Sequence, residues 1–199
     1  MKQIVILAAI IMACFNTIQA QQEKNQVVIS LGAASSLAGT IINLGGDQNS
    51  TTSPAVNLSA DLGMNKKFSL GISYCFQNFN ISSYAYSPIG TVLPNYETIQ
   101  NRHNAGVRFL FHFTEKKDVD FYAGLRLSYM FNDVRTNYTP ASNYYYGAFS
   151  DVLGGTKNRY TQQLVIGGKY YWNETFGVFS ELGIGFPYAF NVGLAMRLQ

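Results

Sequence analysis

The amino-acid sequence predicts an all-β fold: a closed, antiparallel, eight-stranded up-and-down β-barrel. Apolar and polar residues alternate with period two in eight separate segments, which is the pattern of strands with one apolar and one polar face. The connections between these segments alternate between short and long, as in a meander of hairpins. Most glycines within the segments share the phase of the charged residues, and this phase indicates which face points inward.

The third segment shows the alternation most clearly. From Phe68 to Gln77 an apolar or aromatic residue occupies each even position, and Ser, Gly, Cys or Gln occupies each odd one. The two segments nearest the N-terminus follow the same rule more weakly. The predicted strands cover residues 27–37, 56–64, 68–77, 104–113, 121–131, 163–172, 176–186 and 190–198.

The connections predict a barrel whose two ends differ. All five prolines fall in connections or at strand starts, where the missing N–H removes no ladder hydrogen bond. Short turns are expected at one end and long loops at the other, with a tight final hairpin at 187–189. The short turns are 65–67, 114–118 and 173–175, and the long loops are 39–53, 80–96 and 133–158.

The glycine phase predicts that the polar face lines the inside of the barrel. An eight-stranded barrel has an interior only wide enough for side chains to fill, so rows of Phe and Tyr would overpack it. Gly168 is the main glycine out of phase. Outward rows of aromatic and aliphatic residues require lipid, because a soluble protein does not expose apolar patches that large. The sequence therefore favours a transmembrane barrel over a soluble barrel with the opposite phase.

Composition agrees with this prediction. The chain is 47% hydrophobic, 15% aromatic and only 13% charged, yet its mean hydropathy is zero. So few charges argue against an ordinary cytosolic domain, and so many aromatic residues argue against disorder. The longest apolar run, residues 4–15, is too short for a spanning helix, which needs about 20 residues.

The N-terminus reads as an export signal. Lys2 precedes an apolar stretch, and a cleavage site is expected after Ala20, which predicts a signal peptide at 1–20 and one barrel domain at 21–199. Lipidation of Cys14 is the alternative. Cys75 is then the only other cysteine, so no intramolecular disulfide is expected.

With these features the chain resembles the eight-stranded outer-membrane barrels of the OmpX and OmpA-domain type, and similar porin-like or PorT-like barrels of Bacteroidota. Aromatic residues near the predicted turn end carry part of the resemblance: Phe113, Phe121, Tyr170, Trp172 and Phe176. The resemblance implies a bacterial outer-membrane location, with the N-terminus and short turns in the periplasm. It also implies outer-membrane lipid, lipopolysaccharide and the barrel-insertion machinery as partners.

Six charged residues share the predicted inner face: Asp61, Arg108, Arg126, Lys169, Glu181 and Arg197. Three-residue turns at 173–175 and 187–189 would pair Phe179 with both Lys169 and Arg197. Glu181 would then lie diagonal to both cations, so a Lys169–Glu181–Arg197 cluster is predicted. A carboxylate, with Asp61 as the candidate, or water is expected between Arg108 and Arg126. Such a cluster favours a structural plug over a gate or weak ion path.

Enzyme and metal motifs are lacking in the sequence. Only His103 and His112 are present, too few for a His-rich metal site, and no cofactor is expected. A His112–Asp120 dyad across a turn is conceivable, but a polar lumen histidine is favoured. The basic residues are scattered, which argues against nucleic acid as a partner.

The third long loop is rich in tyrosine, and such clusters can anchor a binding interface. The alternative is that these residues extend the flanking strands. The sequence thus favours a non-enzymatic outer-membrane protein that acts structurally or through its loops in adhesion or interaction, with a narrow porin-like channel or a lipid A-modifying enzyme as alternatives. The loop residues concerned are Tyr138, Tyr144, Tyr145, Tyr146 and Phe149.

Overall fold

The computed structural model describes residues 25–36, 51–83, 96–114, 116–138 and 158–198. These residues form eight long antiparallel strands, and the predicted fold class is confirmed. The strands are β1 (Val27–Ser35), β2 (Ala55–Gly63), β3 (Phe68–Ser83), β4 (Tyr96–His112), β5 (Val119–Tyr138), β6 (Arg159–Tyr171), β7 (Phe176–Gly185) and β8 (Phe190–Leu198).

The sheet closes on itself because every strand pairs with two neighbours. β1 pairs with β2 through Val27 and Leu62, and with β8 through Val27 and Leu198. A two-residue strand, Thr51–Thr52, pairs with β3 just before β2 begins. Pro54 interrupts the ladder between them, so Thr51–Thr52 continues the line of β2 and the barrel has eight strands.

Three strands run further than the alternation predicts. β3, β4 and β5 have 16, 17 and 20 residues, whereas β1, β2 and β8 have nine each. Beyond residue 77 the apolar face fades, but polar side chains bond across the strands. Asn78 donates to Asn101 at 2.7 Å, and Gln100 donates to Asn132 at 3.0 Å. This polar ladder continues the sheet without an amphipathic signal.

The predicted phase is confirmed. In β3 the side chains of Ser69, Ser73 and Gln77 are buried, whereas Leu70 and Ile72 between them are exposed on the outer wall. Gly168 does face outward, and the ring of Phe121 on the neighbouring strand covers it. An aromatic ring over a cross-strand glycine is a known way to fill the gap on a sheet surface.

Two of the short turns are built by asparagine. Asn65 Oδ1 accepts hydrogen bonds from the amides of Lys67 at 2.8 Å and Phe68 at 2.9 Å. Asn173 Oδ1 plays the same part for Thr175 at 2.9 Å and for the residue after it. An Asn side chain that bonds the backbone two residues on stabilises a tight turn, which is why both hairpins close here.

The connection between β7 and β8 lies at the end of the barrel opposite the two asparagine turns. Gly185 has φ +116°, a conformation that L side chains rarely adopt, and the next residues turn Tyr188 into the interior. The end of the barrel with turns 64–67, 113–118 and 172–175 is its turn end, and the opposite end of the barrel is its loop end.

Among the described residues, no helix could span a membrane. The predicted signal peptide at 1–20, Cys14 included, lies outside the described residues.

Candidate functional site in the barrel lumen

A buried carboxylate organises the centre of the lumen. Glu181 on β7 accepts four hydrogen bonds: from Arg108 at 2.5 Å, from the hydroxyls of Tyr122 at 2.8 Å and Tyr188 at 2.5 Å, and from Asn191 at 3.3 Å. These donors come from β4, β5, the β7–β8 connection and β8. The carboxylate thus ties together opposite walls of the barrel.

Arg108 joins Glu181 to a second ion pair. Its Nε lies 3.3 Å from Asp61 Oδ1, and its Nη1 donates to Ser59 at 2.9 Å. The other oxygen of Asp61 lies 3.5 Å from Lys169 Nζ. Lys169, Asp61, Arg108 and Glu181 therefore form one chain of alternating charge, and each is at most 2% exposed.

Arg126 lies directly across the ladder from Arg108. Its Nη2 donates to Asn57 Oδ1 at 3.1 Å, and its guanidinium carbon lies 4.8 Å from the centre of the Tyr188 ring. We name Asp61, Arg108, Arg126, Lys169 and Glu181 the lumen cluster.

The lumen cluster differs from the predicted one. Lys169 pairs with Phe179 as expected, but Phe179 pairs with Gly193 and not with Arg197. The reason is the length of the last connection: pairing ends at Leu182 and Phe190, so residues 183–189 and not 187–189 cross between the strands. The placement of Arg197 in the predicted Lys169–Glu181–Arg197 cluster is therefore wrong, whereas Lys169 and Glu181 are linked through Asp61 and Arg108.

Arg197 instead closes the turn end. Its guanidinium carbon lies 3.4 Å from the centre of the Tyr171 ring, and its Nη1 donates to the carbonyl of Lys117 at 2.9 Å. Asp61, the candidate for a carboxylate between Arg108 and Arg126, does not bridge them, and the alternative of water between the two arginines stays a prediction. Asp61 contacts Arg108, whereas Arg126 has an amide and an aromatic ring as its contacts.

The charges of the lumen cluster do not cancel. Three cations, Arg108, Arg126 and Lys169, stand against two carboxylates, Asp61 and Glu181, which leaves +1. Charges withdrawn from water are stable only where opposite charges and hydrogen bonds replace the lost hydration.

Burial raises the pKa of Tyr188 in the β7–β8 connection well above its usual value, with the Glu181 carboxylate adding to the effect. Its hydroxyl therefore remains a donor at neutral pH.

A second buried network lies at the turn end. Ser69 Oγ lies 2.8 Å from His112 Nε2, and His112 Nδ1 lies 2.8 Å from Asp120 Oδ1. A cavity of about 10 Å³, room for one water molecule, is lined in part by Asp120 and Arg197. The His112–Asp120 contact considered from the sequence is thus present, and Ser69 extends it to a serine–histidine–carboxylate chain.

The order of this chain is that of an activated nucleophile, in which histidine takes the serine proton and the carboxylate orients the histidine. All three side chains face the lumen, however, and Ser69 is only 3% exposed. A lipid A-modifying enzyme requires a polar pocket open to lipid near His112. His112 is fully buried inside the barrel wall, so the described residues do not form that pocket.

A third group of residues lies toward the loop end. The guanidinium carbon of Arg102 lies 4.5 Å from the centre of the Phe79 ring, and that of Arg159 lies 4.8 Å from the centre of the Phe186 ring. Such cation–π contacts hold a charge against an apolar face. Tyr138 ends β5, but its side chain is not described. The other predicted loop residues also lie outside the described residues: Tyr144, Tyr145, Tyr146 and Phe149.

Sequence reasoning missed several members of these networks. Arg102 shares the inward phase of Arg108, and extending β4 by one pair of residues would have found it. Ser69 also had the right phase, but its approach to His112 follows only from the β3–β4 register, which pairs Ser69 with Leu110. Tyr122 and Tyr188 gave no signal beyond their phase or position.

Among the described residues, no group of three or more His, Cys, Asp or Glu side chains lies close enough together to hold a metal ion.

No protein-family model and no curated protein matches the chain. Solved structures of outer-membrane barrels are similar to it at low identity. Ail, the attachment invasion locus protein of Yersinia pestis, is 10% identical over 88% of this chain and 99% of its own, with a TM-score of 0.47. The outer membrane protein OprG from Pseudomonas aeruginosa is 10% identical over 92% and 99%, with a TM-score of 0.49. The N-terminal β-barrel domain of Pseudomonas aeruginosa OprF is 14% identical over 89% and 100%, with a TM-score of 0.44.

Proposed function

We propose that the protein spans the bacterial outer membrane as a plugged barrel and acts without catalysis, as a structural element or through its loop end. The apolar band on the outer wall carries this proposal. Aliphatic side chains such as Leu70, Ile72, Leu164 and Ile166 are between 41% and 66% exposed there. A band of this kind is stable only against lipid.

Aromatic residues border the band on both sides. The turn-end girdle contains Phe68, Phe121, Tyr170, Trp172 and Phe176, all exposed on the outer wall. At the loop-end side His103 stacks on Phe131 at 4.9 Å, its Nδ1 lies 2.6 Å from the hydroxyl of Tyr74, and Tyr129 and Tyr160 lie edge to face. Two such girdles are the signature of an outer-membrane barrel.

The proposal includes an orientation in the membrane and a set of partners. With its turn end in the periplasm, the barrel would be folded by the insertion machinery and surrounded by phospholipid and lipopolysaccharide. The longer β3–β5 wall at the loop end would carry any contact with an extracellular ligand, whether or not the tyrosines of loop 133–158 take part.

The depth of the apolar band can be tested by matched substitutions. Ile166→Arg places a charge in the middle of the band, where it should reduce stability by roughly 2–4 kcal/mol, whereas Tyr160→Arg at the girdle should cost about 1 kcal/mol or less. Heat-modifiable electrophoretic mobility of outer-membrane fractions measures both. A mature protein that stays soluble without detergent would overturn the proposal and favour the inverted phase.

The lumen cluster supports a plug over the alternative of a narrow channel, because its salt-bridged side chains cross the interior. Planar-bilayer recording separates the two. We expect no steady conductance from the wild-type barrel, whereas regular ohmic steps would establish the channel.

A further inference from the structure

We propose that Arg126 binds a small monovalent anion, such as chloride, inside the lumen. The first reason is the charge of the lumen cluster, in which three cations face two carboxylates. One further negative charge would balance it. A buried charge without a counter-charge is costly even when its hydrogen bonds are satisfied.

The two carboxylates are committed to other cations. Asp61 lies between Arg108 and Lys169, at 3.3 Å and 3.5 Å. Glu181 already accepts four hydrogen bonds, none of them from Arg126. Among the described residues, Arg126 is therefore the cation of the lumen cluster that has no ion pair of its own.

Two nitrogen atoms of the Arg126 guanidinium are buried without a hydrogen-bond partner among the described residues. Arg126 is fully buried, and its Nε and Nη1 have no hydrogen-bond acceptor among the described residues. The same holds for Asn57 Nδ2, whose own Oδ1 contacts Arg126, and for Ser128 Oγ, two residues along the same inward face. Guanidinium, amide and hydroxyl groups together form a donor set for an anion.

The size of the ligand follows from the surroundings. The inward neighbours of Arg126 on β5 are Gly124, which Leu110 covers, and Ser128, and the aromatic ring of Tyr188 lies against the guanidinium, so only a small ligand would fit. A water molecule would accept from these donors but would leave the +1 charge in place. A monatomic anion supplies both the acceptor and the missing charge.

The test compares unfolding in chloride with unfolding in gluconate, an anion too large for this site. The barrel is refolded into detergent at constant ionic strength, since a buried site fills during folding, and its Tm is read from Trp172 fluorescence. With chloride about a hundredfold above its Kd, the Tm should rise by roughly 5–10 °C over that in gluconate.

Three variants locate the effect. Asn57→Asp places a fixed carboxylate beside Arg126, so it should remove the dependence on chloride and raise the Tm in gluconate. Arg126→Met should also remove the dependence. Arg135→Gln is the matched control, because Arg135 is an exposed arginine paired with Asp133, and it should leave the dependence unchanged.

Equal Tm values of the wild type in chloride and gluconate would overturn the proposal, and would mean that water or a carboxylate outside the described residues serves Arg126. A chloride dependence that persists in both Asn57→Asp and Arg126→Met would overturn it as well, by placing the anion elsewhere.

Discussion

Removal of the Glu181 charge tests whether the lumen cluster stabilises the barrel. In Glu181→Gln the side chain keeps its shape, but its new amide nitrogen faces donors from Tyr188 and Asn191. Arg108 keeps a carbonyl acceptor but loses the negative charge of its 2.5 Å partner, and the charge of the cluster rises from +1 to +2. Both effects destabilise the folded state only.

The expected loss is about 3–5 kcal/mol in the free energy of unfolding, the usual cost of breaking a buried pair by removing one partner. For a chain of this size that corresponds to a fall of about 10 °C in Tm. Equilibrium unfolding by urea in detergent micelles measures it. Trp172 is the only tryptophan, so its fluorescence reports one site.

Asp133→Asn is the matched control. It makes the same carboxylate-to-amide change in a pair with Arg135, at 3.4 Å, whose partners are 51% and 76% exposed. An exposed pair contributes little, so a change of about 0.5 kcal/mol or less is expected. If Glu181→Gln changed stability no more than Asp133→Asn, the lumen would be hydrated and the plug interpretation refuted.

Three further predictions concern single side chains. Tyr188→Phe should cost about 1–2 kcal/mol by removing a donor to Glu181. The pKa of Tyr188 is raised in the folded barrel above 10, the value for an unfolded tyrosine. The contribution of its hydroxyl to the free energy of unfolding should therefore be complete below pH 10 and decline above it. Urea titrations in which the difference between wild type and Tyr188→Phe stays constant to high pH would contradict this. Gly124→Ala should lose about 2–3 kcal/mol because the added Cβ would meet the carbonyl oxygen of Phe109 at 2.0 Å. Gly168→Ala, whose Cβ meets only the movable ring of Phe121, should lose less than about 1 kcal/mol, and heat-modifiable mobility compares the two. A fluorophosphonate probe should not label Ser69 in the folded barrel, since that side chain is 3% exposed; labelling that disappears in Ser69→Ala would show an enzyme.

The strand pattern was predictable because successive residues of a strand face the narrow interior and the outer wall in turn. The narrow interior accepts small or polar side chains, and the outer wall carries apolar ones. The alternation in β3 and its neighbours therefore shows which residues face inward. The extensions of β3–β5 carry no such record, because the Asn78–Asn101 pair is polar in a polar environment.

The register was predictable only where local chemistry closes the turn. The β6–β7 hairpin has Asn173 to fold its backbone, and the predicted Lys169–Phe179 pair is present. The β7–β8 connection depends instead on a contact between Tyr188 and Glu181 inside the barrel. That tertiary contact moved Arg197 away from the predicted cluster, and no nearby residue signals it.

The unequal strand lengths give the barrel a slanted rim. A strand of nine residues tilted by about 40° rises roughly 23 Å along the barrel axis, and one of 20 residues rises roughly 50 Å. In the proposed orientation, β3, β4 and β5 therefore rise roughly 18, 20 and 28 Å above a strand of nine residues. Among the described residues, those in the extensions of these three strands, Asn78 and Asn101 included, would lie furthest from the turn end. The described strands would thus offer an extracellular macromolecule one side of the barrel wall, and not a level, ring-shaped rim.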